Sequence, residues 1–343
     1  LRDSINKVST LIDKAIELEH EVIAITEHET ISSAIRAEKY YKKIKEKYPN
    51  FKVIRGNEIY LCRNGLNAQN FNKEVDKYFH FVLLAKDAEG HRQIRELSTR
   101  AWMRAFTERR MQRVPTYYSD LFDIIGENPG HVIGSTACLG GTLGTQLLRY
   151  KELKNEELLN KIKYWCLQMQ KLFGEENFYL EMQPSNDKEQ IYVNKKIVEL
   201  SKELNIPTII TNDAHYLRPE DRKIHKAYLN SKEGDREVDS FYQSTYLMTD
   251  EEVHQFMDEI IGEEWVEKSY KNINKIKDLC EDYSLMKPLK IPRLNWKEPG
   301  YLKTEIKDKW FKRIPNLLKF YLSDYSEDKR LAEIIIDRIE GDD

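Results

Sequence analysis

The segment TNDAHY, at residues 211–216, directly follows the short run IPTII at residues 206–210. A short run that is mostly apolar and β-branched, bounded by polar residues, predicts a buried strand. Asp213 and His215 are two residues apart, so in an extended backbone their side chains point to the same side. A carboxylate and an imidazole at a strand end can bind one metal ion. The alternative is a hydrogen-bonded Asp–His pair that stabilises a turn.

The same arrangement recurs elsewhere in the chain. Three further strand-like runs end close to a residue that can bind metal: EVIAIT (21–26) before His28, FKVI (51–54) before Glu58, and HVIG (131–134) before Cys138. A fifth run, FVLLA (81–85), has His80 at its beginning instead. Together these side chains offer nitrogen, oxygen and sulfur ligands suited to zinc or to a mixed cluster of Zn, Mn or Fe. The alternatives are a small buried thiol for Cys138 and a buried, hydrogen-bonded imidazole for His80.

Composition indicates a globular protein. The 343 residues are 33% charged and 40% hydrophobic with a net charge of −3, and the mean hydropathy is −0.68. The length suits one large domain, or a large and a small one. No stretch approaches the ~20 apolar residues that span a bilayer, so we expect no membrane association. The four cysteines show no CxxC spacing, which favours a reducing cytoplasm.

Two groups of polar residues carry weaker signals. Seven arginines lie between residues 92 and 113: Arg92, Arg95, Arg100, Arg104, Arg109, Arg110 and Arg113. We favour a solvated helix face with acidic partners over a phosphate-facing strip. Four histidines lie in polar, helical surroundings and are predicted on the surface: His20, His91, His225 and His254.

Strand and helix patterns alternate through about residue 230, which predicts parallel strands joined by crossover helices. Polar groups at the carboxyl ends of strands are typical of a β/α barrel. About six strands can be counted, so an irregular barrel fits better than an eight-fold one. The later part is rich in Lys, Glu and Ile in helical patterns. We therefore predict a barrel over residues 1–235 and, over residues 236–343, a mainly helical linker and the beginning of another domain.

Five motifs in the same order resemble a known family: ITEHET (25–30), RGNEIYL (55–61), HFVLLAKDAEGHRQIREL (80–97), STACLGGTLG (135–144) and TNDAHYLRPEDRKIH (211–225). This order is similar to the polymerase-and-histidinol-phosphatase (PHP) domain, in the version found at the N-terminus of the bacterial DNA polymerase III alpha subunit. The resemblance runs from about residue 3 to about residue 260. FYQSTYLMTDEEVHQFM (241–257) also resembles the stretch that links that domain to the polymerase core.

The resemblance implies an α/β fold, an irregular β/α barrel of the seven-fold type, with a cluster of two or three divalent metal ions. Carried over by motif, the ligands are Asp3, His28, Glu58, His80, Cys138, Asp213 and His215. Asp3 is also a good helix N-cap. Glu27 stands where the family usually has Asp, and we expect it in the second shell behind His28. The family's first strand carries a His-x-His pair ahead of Asp3, so we expect that this fragment lacks this strand and two ligands.

Two functions remain open at this point. The first is a metal-dependent phosphoesterase within a replicative DNA polymerase, with 3′–5′ exonuclease proofreading as the reaction. The second is a non-catalytic module that braces the polymerase core in cis and binds a proofreading partner. The parent would bind DNA, and a sliding clamp is a further candidate partner. Apolar residues of the later region are expected to be exposed where the polymerase core docks: Trp265, Leu285, Leu289, Trp296, Trp310 and Phe311.

Overall fold

The computed structural model describes residues 4–72, 75–108, 111–231 and 240–288. The chain divides into two compact units, residues 1–286 and residues 287–343. Every described element belongs to the first unit. Within the described ranges, no helix has the length and apolar character needed to cross a membrane.

A seven-stranded mixed sheet forms the centre of the first unit, in the order β1-β2-β3-β7-β8-β9 with β6 beside β2. The nine described strands are β1 Val22–Ile25, β2 Lys52–Cys62, β3 Phe79–Ala85, β4 Phe106–Glu108, β5 Met111–Arg113, β6 Thr116–Tyr117, β7 Val132–Ser135, β8 Phe178–Met182 and β9 Thr208–Ile210. Strands β4 and β5 form a separate hairpin. The sequence interpretation missed this hairpin.

Strand β3 runs against its neighbours. β1 and β2 are parallel, as are β7, β8 and β9, but β3 is antiparallel to both β2 and β7. The prediction of parallel strands throughout is therefore wrong at β3. The segment between β2 and β3 holds no crossover helix among its described residues, and antiparallel pairing needs none. As a result the start of β3 lies at the same edge of the sheet as the ends of β1, β7 and β9.

Strand β2 is longer than the sequence interpretation predicted, because it changes partner midway. Its first half pairs with β1 and its second half, from Gly56, pairs with β3. A Cβ atom on Gly56 would lie 2.3 Å from the carbonyl oxygen of Leu83, so this crossing point requires glycine. Glu58 thus lies inside β2 rather than after it.

Helices pack around the sheet. Within the described ranges they are α1 Val8–Glu17, α2 Ala34–Ile44, α3 Ala88–Met103, α4 Tyr118–Glu127, α5 Thr142–Leu153, α6 Glu156–Phe173, α7 Lys188–Leu204, α8 Arg222–Asn230, α9 Asp250–Ile261 and α10 Glu263–Leu279. Several begin at a side chain that caps the first turn. Asp87 accepts from the Gly90 N–H at α3, and Thr249 forms a capping box with Glu252 at α9.

The sheet is curled, and its two faces are packed differently. The outer face buries residues such as Phe81 and Leu83 against the helices. The concave face holds a smaller apolar cluster that α10 completes: Ile54, Leu84, Ile133, Tyr179, Ile209, Ile276 and Cys280. β1 and β9 are the two end strands among the described residues. The fold is an irregular, open β/α barrel, as predicted, and the helices α9 and α10 follow it among the described residues.

Three surface predictions are wrong. Trp265 is buried, because α10 packs against β9 and α9 and brings the ring into the main core. His91 and His225 are also buried, on the inner faces of α3 and α8. Leu285 is half-buried, while Leu289, Trp296, Trp310 and Phe311 lie outside the described residues. The predicted boundary near residue 235 also falls outside them and stays a prediction.

Candidate metal centre

His28, Glu58 and His80 converge at one edge of the sheet. Their ligand atoms all lie within 4.8 Å of one another. Glu58 Oε1 is 2.8 Å from His80 Nδ1, and Glu58 Oε2 is 3.4 Å from His28 Nδ1. His28 follows β1 and pairs with Glu58 as an extension of the parallel ladder. His80 reaches the same place from the beginning of β3, because that strand is antiparallel.

Cys138 joins this group from the loop after β7. Its Sγ atom lies 3.3 Å from His80 Nδ1. The loop folds tightly here: a Cβ atom on Gly141 would lie 2.2 Å from the Thr136 carbonyl oxygen, and one on Gly140 would lie 3.3 Å from the His80 ring. These glycines let the loop pass close to the histidine and place the thiol beside it.

Asp213 and His215 follow β9 in a loop that is held from several sides. Asp213 has a positive φ of 46°, and its carbonyl oxygen lies 2.7 Å from His215 Nδ1. A carbonyl accepts hydrogen bonds, so Nδ1 carries the proton and Nε2 presents its lone pair. The backbone N–H of His215 donates to the Thr245 carbonyl at 2.8 Å.

The acidic groups of the site strongly influence each other. Burial tends to raise the pKa of Glu58, but His28 and His80 outweigh it and the pKa is lowered. Burial raises the pKa of Asp213, and nearby Glu58 raises it further. Burial, followed by the charges of Asp213 and Glu58, raises the pKa of the Cys138 thiol well above its ordinary value. Burial and the neighbouring acidic groups thus both disfavour the ionised forms of Asp213 and Cys138.

A cavity of about 1020 Å³ lies inside the curled sheet and reaches these residues. His28, Glu58, Cys138, Asp213 and His215 all line it. Asp3 lies outside the described residues. The residue after it, Ser4, donates through Oγ to the His215 carbonyl oxygen at 3.0 Å, so the described chain begins beside the β9 loop.

Comparison with known proteins identifies the family. A family model described as the PHP domain matches residues 1–185. The chain belongs to the PHP domain family. The match covers His28, Glu58, His80 and Cys138, whereas the β9 loop of this PHP domain lies beyond it.

The chain is similar to parts of DNA polymerases. It is 39% identical over 308 residues to the "Probable DNA polymerase YorL" of Bacillus subtilis (strain 168), and equally to the "DNA-directed DNA polymerase" of Bacillus phage SPbeta, covering 86% of this chain in each case. It is 27% identical over 295 residues to the DNA polymerase III subunit alpha of Borreliella burgdorferi, covering 84% of this chain. The chain spans 23% of the length of these relatives.

The chain is also similar to a solved structure. It comes from Bifidobacterium adolescentis and is titled as a proposed metal-dependent phosphoesterase. The TM-score is 0.37 with 12% sequence identity, over 75% of this chain and 92% of that one. At this level of similarity nothing further rests on it.

The donor set of this PHP domain fits divalent metal. Imidazole, carboxylate and thiol donors lie together beside the cavity, with two carboxylates close enough to perturb each other. Such mixed nitrogen, oxygen and sulfur donors suit Zn, Mn or Fe ions. The ligand roles of these residues remain a prediction.

Glu27, predicted behind His28, makes a well-defined contact elsewhere. Its Oε2 atom accepts from both the N–H and the hydroxyl of Ser33, at the start of α2. This contact fixes the loop that follows His28. Support of His28 through that loop remains a prediction.

Most of the described arginines between residues 92 and 113 pair with acidic side chains. Arg92 and Arg100 contact Glu96, Arg104 contacts Asp120, and Arg113 contacts Glu108. These pairs agree with the interpretation as a solvated face. Arg109 and Arg110 lie outside the described residues.

Sequence reasoning missed two buried polar residues near the site. Glu181 lies within β8 and lines the cavity. The His225 ring lies 5.8 Å from the His215 ring, centre to centre. A lone glutamate within an apolar run was the available signal for Glu181. For His225 the signal was its spacing of four residues from Leu229, which places both on one helix face.

Proposed function

We propose that this PHP domain is a metal-dependent phosphoesterase that removes nucleotides from the 3′ end of DNA, as the proofreading part of a replicative DNA polymerase. The observation that supports it is the convergence of His28, Glu58 and His80 with Cys138 beside one large cavity. The sequence analysis predicted all four of these residues as candidate ligands, from their positions at the end or the start of a strand. The longer relatives named as DNA polymerases support the replication context.

The side chains have distinct tasks in this proposal. Glu58 and Asp213 carry the negative charge that attracts divalent cations, and His28, His80 and His215 supply neutral nitrogen donors. Cys138 holds its proton in the ion-free state, because its pKa is raised, and releases it on ligation. Bound ions would polarise the phosphodiester and lower the pKa of a bound water. Apolar residues of the concave face, such as Ile54, Leu84 and Ile209, line the same cavity.

The polymerase setting is part of the proposal. The parent protein would be a cytoplasmic DNA-directed DNA polymerase whose polymerisation residues lie outside this chain. DNA, the polymerase core in cis, a sliding clamp and a proofreading subunit are the proposed partners. The metals would be two or three Zn, Mn or Fe ions.

The test compares Asp213→Asn with Asp123→Asn in the full-length polypeptide. Asp123 is an exposed aspartate on α4, so the control makes the same chemical change away from the site. We expect Asp213→Asn to lower Mn²⁺-dependent degradation of a 5′-labelled primer by more than the ~10–100-fold typical of outer-shell changes. The control should match wild type. Metal content by elemental analysis should fall in parallel.

The opposite result would support the alternative function. If wild-type protein binds no divalent metal and Asp213→Asn leaves primer degradation unchanged, the phosphoesterase proposal is wrong. The domain would then be a structural module that braces the polymerase core and binds a proofreading partner.

A further inference from the structure

Glu181 is a buried glutamate on the concave face of the sheet, directly below the candidate metal centre. It is 5% exposed. Along β8 it follows Tyr179 by two residues, so both side chains point to the concave side. Tyr179 belongs to the apolar cluster with Ile133 and Ile209. Glu181 therefore lies one layer above that cluster, between the apolar floor and the ligand-bearing loops.

The carboxylate joins the two strands on either side of β8. Ser135 of β7 donates its hydroxyl hydrogen to Oε2. Thr211, which follows β9, donates its hydroxyl hydrogen to Oε1 at 2.5 Å. Ser135 lies three residues before Cys138, and Thr211 lies two residues before Asp213. One side chain thus connects the strand ends that carry these two residues.

Two further hydrogen bonds strengthen this connection. The backbone N–H of Glu181 donates to Thr136 Oγ1 at 2.9 Å. The Gln183 amide donates to Glu181 Oε1 at 3.4 Å. Both carboxylate oxygens therefore already accept hydrogen bonds from the protein, which favours a supporting role over direct ligation of an ion.

A carboxylate suits this position better than an amide. An ionised carboxylate only accepts, so each of its two oxygens can receive one hydroxyl. A glutamine offers one accepting oxygen and an NH₂ group that donates, so one of the two hydroxyls would lose its acceptor. Burial raises the pKa of Glu181 to about 7, the hydroxyls of Ser135 and Thr211 act against this rise, and the charge of Asp213 adds to it.

We propose that Glu181 is a positioning residue that fixes the separation of the Cys138 and Asp213 loops, so that both reach the same metal cluster. The inference deepens the proposed function and depends on it. Outer-shell residues of this kind orient the ligands and contribute to metal affinity without touching the ion.

The test uses Co²⁺ as a spectroscopic probe in the full-length polypeptide, with Glu181→Gln compared against Glu38→Gln. Glu38 is also a buried glutamate with several hydrogen bonds, but its partners lie on α2, β2 and residues 284–285. We expect Glu181→Gln to weaken Co²⁺ binding by ~10-fold or more. The visible Co²⁺ bands and the thiolate-to-Co²⁺ absorption should change in this variant. Glu38→Gln should keep the wild-type Co²⁺ spectrum even where it lowers the melting temperature.

A milder variant covers the case in which Glu181→Gln does not fold. Thr211→Val keeps the shape of the side chain but removes one hydroxyl donor, and we expect a smaller change of the same spectrum. Wild-type Co²⁺ affinity and spectrum in both folded variants would overturn this inference alone. Failure of the wild-type protein to bind Co²⁺ would overturn the proposed function, and this inference with it.

Discussion

Glu38 and Glu58 are both buried glutamates of the first unit, but different kinds of groups surround them. Glu38 contacts Lys42 and Arg55 and also accepts from Ser284 and the Leu285 N–H. Burial opposes ionisation, yet these hydrogen bonds and charges outweigh it and lower the pKa of Glu38 to about 2. Permanent cations thus neutralise this carboxylate within the fold.

Glu58 contacts histidines instead, and burial disfavours ionisation of its acidic neighbours Asp213 and Glu181. The pKa of Asp213 is raised, and that of Glu181 is raised to about 7. A histidine carries a positive charge only when protonated. The comparison indicates that the Glu38 cluster is complete without an added ion, whereas the cluster at the cavity would be stabilised by a divalent cation.

Breaking the Glu38 cluster should have the largest effect on stability. Arg55→Met removes the buried guanidinium that contacts Glu38 and stacks 3.8 Å from the Tyr283 ring centre. We expect the free energy of unfolding to fall by about 3 kcal/mol, the low end for a broken buried ion pair, because Lys42 remains. Chemical denaturation measures this change.

The double variant Arg55→Met with Glu38→Leu is the matched control. It removes both charges, so it should be more stable than Arg55→Met alone. Equal or lower stability in the double variant would show that the ion pair itself is not the stabilising element.

Adding a divalent ion should stabilise the protein by binding at the candidate metal centre. The gain in the free energy of unfolding should be slightly smaller than the loss expected for Arg55→Met. At a free Mn²⁺ concentration 100 times the dissociation constant, binding to the folded state alone contributes about 2.7 kcal/mol. Thermal melts with Mn²⁺ and with EDTA measure the gain. Glu38→Gln should keep the gain and Asp213→Asn should lose it. An equal Mn²⁺ effect in both variants would contradict the assignment of the site.

The stability of the metal-free protein should depend on pH through the titration of Glu181 and of Glu38. The folded-state pKa of Glu181 is about 7 against 4.5 for the free side chain. The folded state therefore takes up this proton first, and stability rises as the pH falls from about 7 to about 4.5. The folded-state pKa of Glu38 is about 2, so its contribution is lost as the pH falls from about 4.5 to about 2.

Denaturation in EDTA across this range tests the prediction. Glu181→Gln should remove the rise between about pH 7 and pH 4.5, and Glu38→Gln should reduce the loss below it. The assignment of the two groups would be contradicted if Glu181→Gln changed the loss of stability below about pH 4.5. It would also be contradicted if Glu38→Gln changed the rise above that pH.

The sequence predicted the architecture and most of the candidate site because both depend on local patterns. His28, Cys138, Asp213 and His215 each follow a short apolar run, and each lies just after a strand in the structure. His80 did not fit this rule, and the reason is the direction of β3. Strand direction depends on which strands pair, and a local apolar pattern contains no information about pairing.

The errors at Glu58, Glu181 and His225 have a related cause. Glu58 was placed after a strand because polar residues interrupt the apolar run, but pairing with β3 extends β2 to Cys62. Glu181 and His225 are polar residues that become buried only when other elements pack over them. Tertiary contacts decide such positions, so the sequence analysis placed His225 on the surface and did not identify Glu181.

The antiparallel β2–β3 pair has a consequence for how the site is assembled during folding. Glu58 and His80 belong to one hairpin, so closing a single loop brings them together at a small cost in chain entropy. Asp213 and His215 come from the opposite end of the sheet order and join only after β7, β8 and β9 have paired. Bringing distant parts of a chain together costs more chain entropy. We therefore expect the Glu58–His80 pair to form before the complete cluster does.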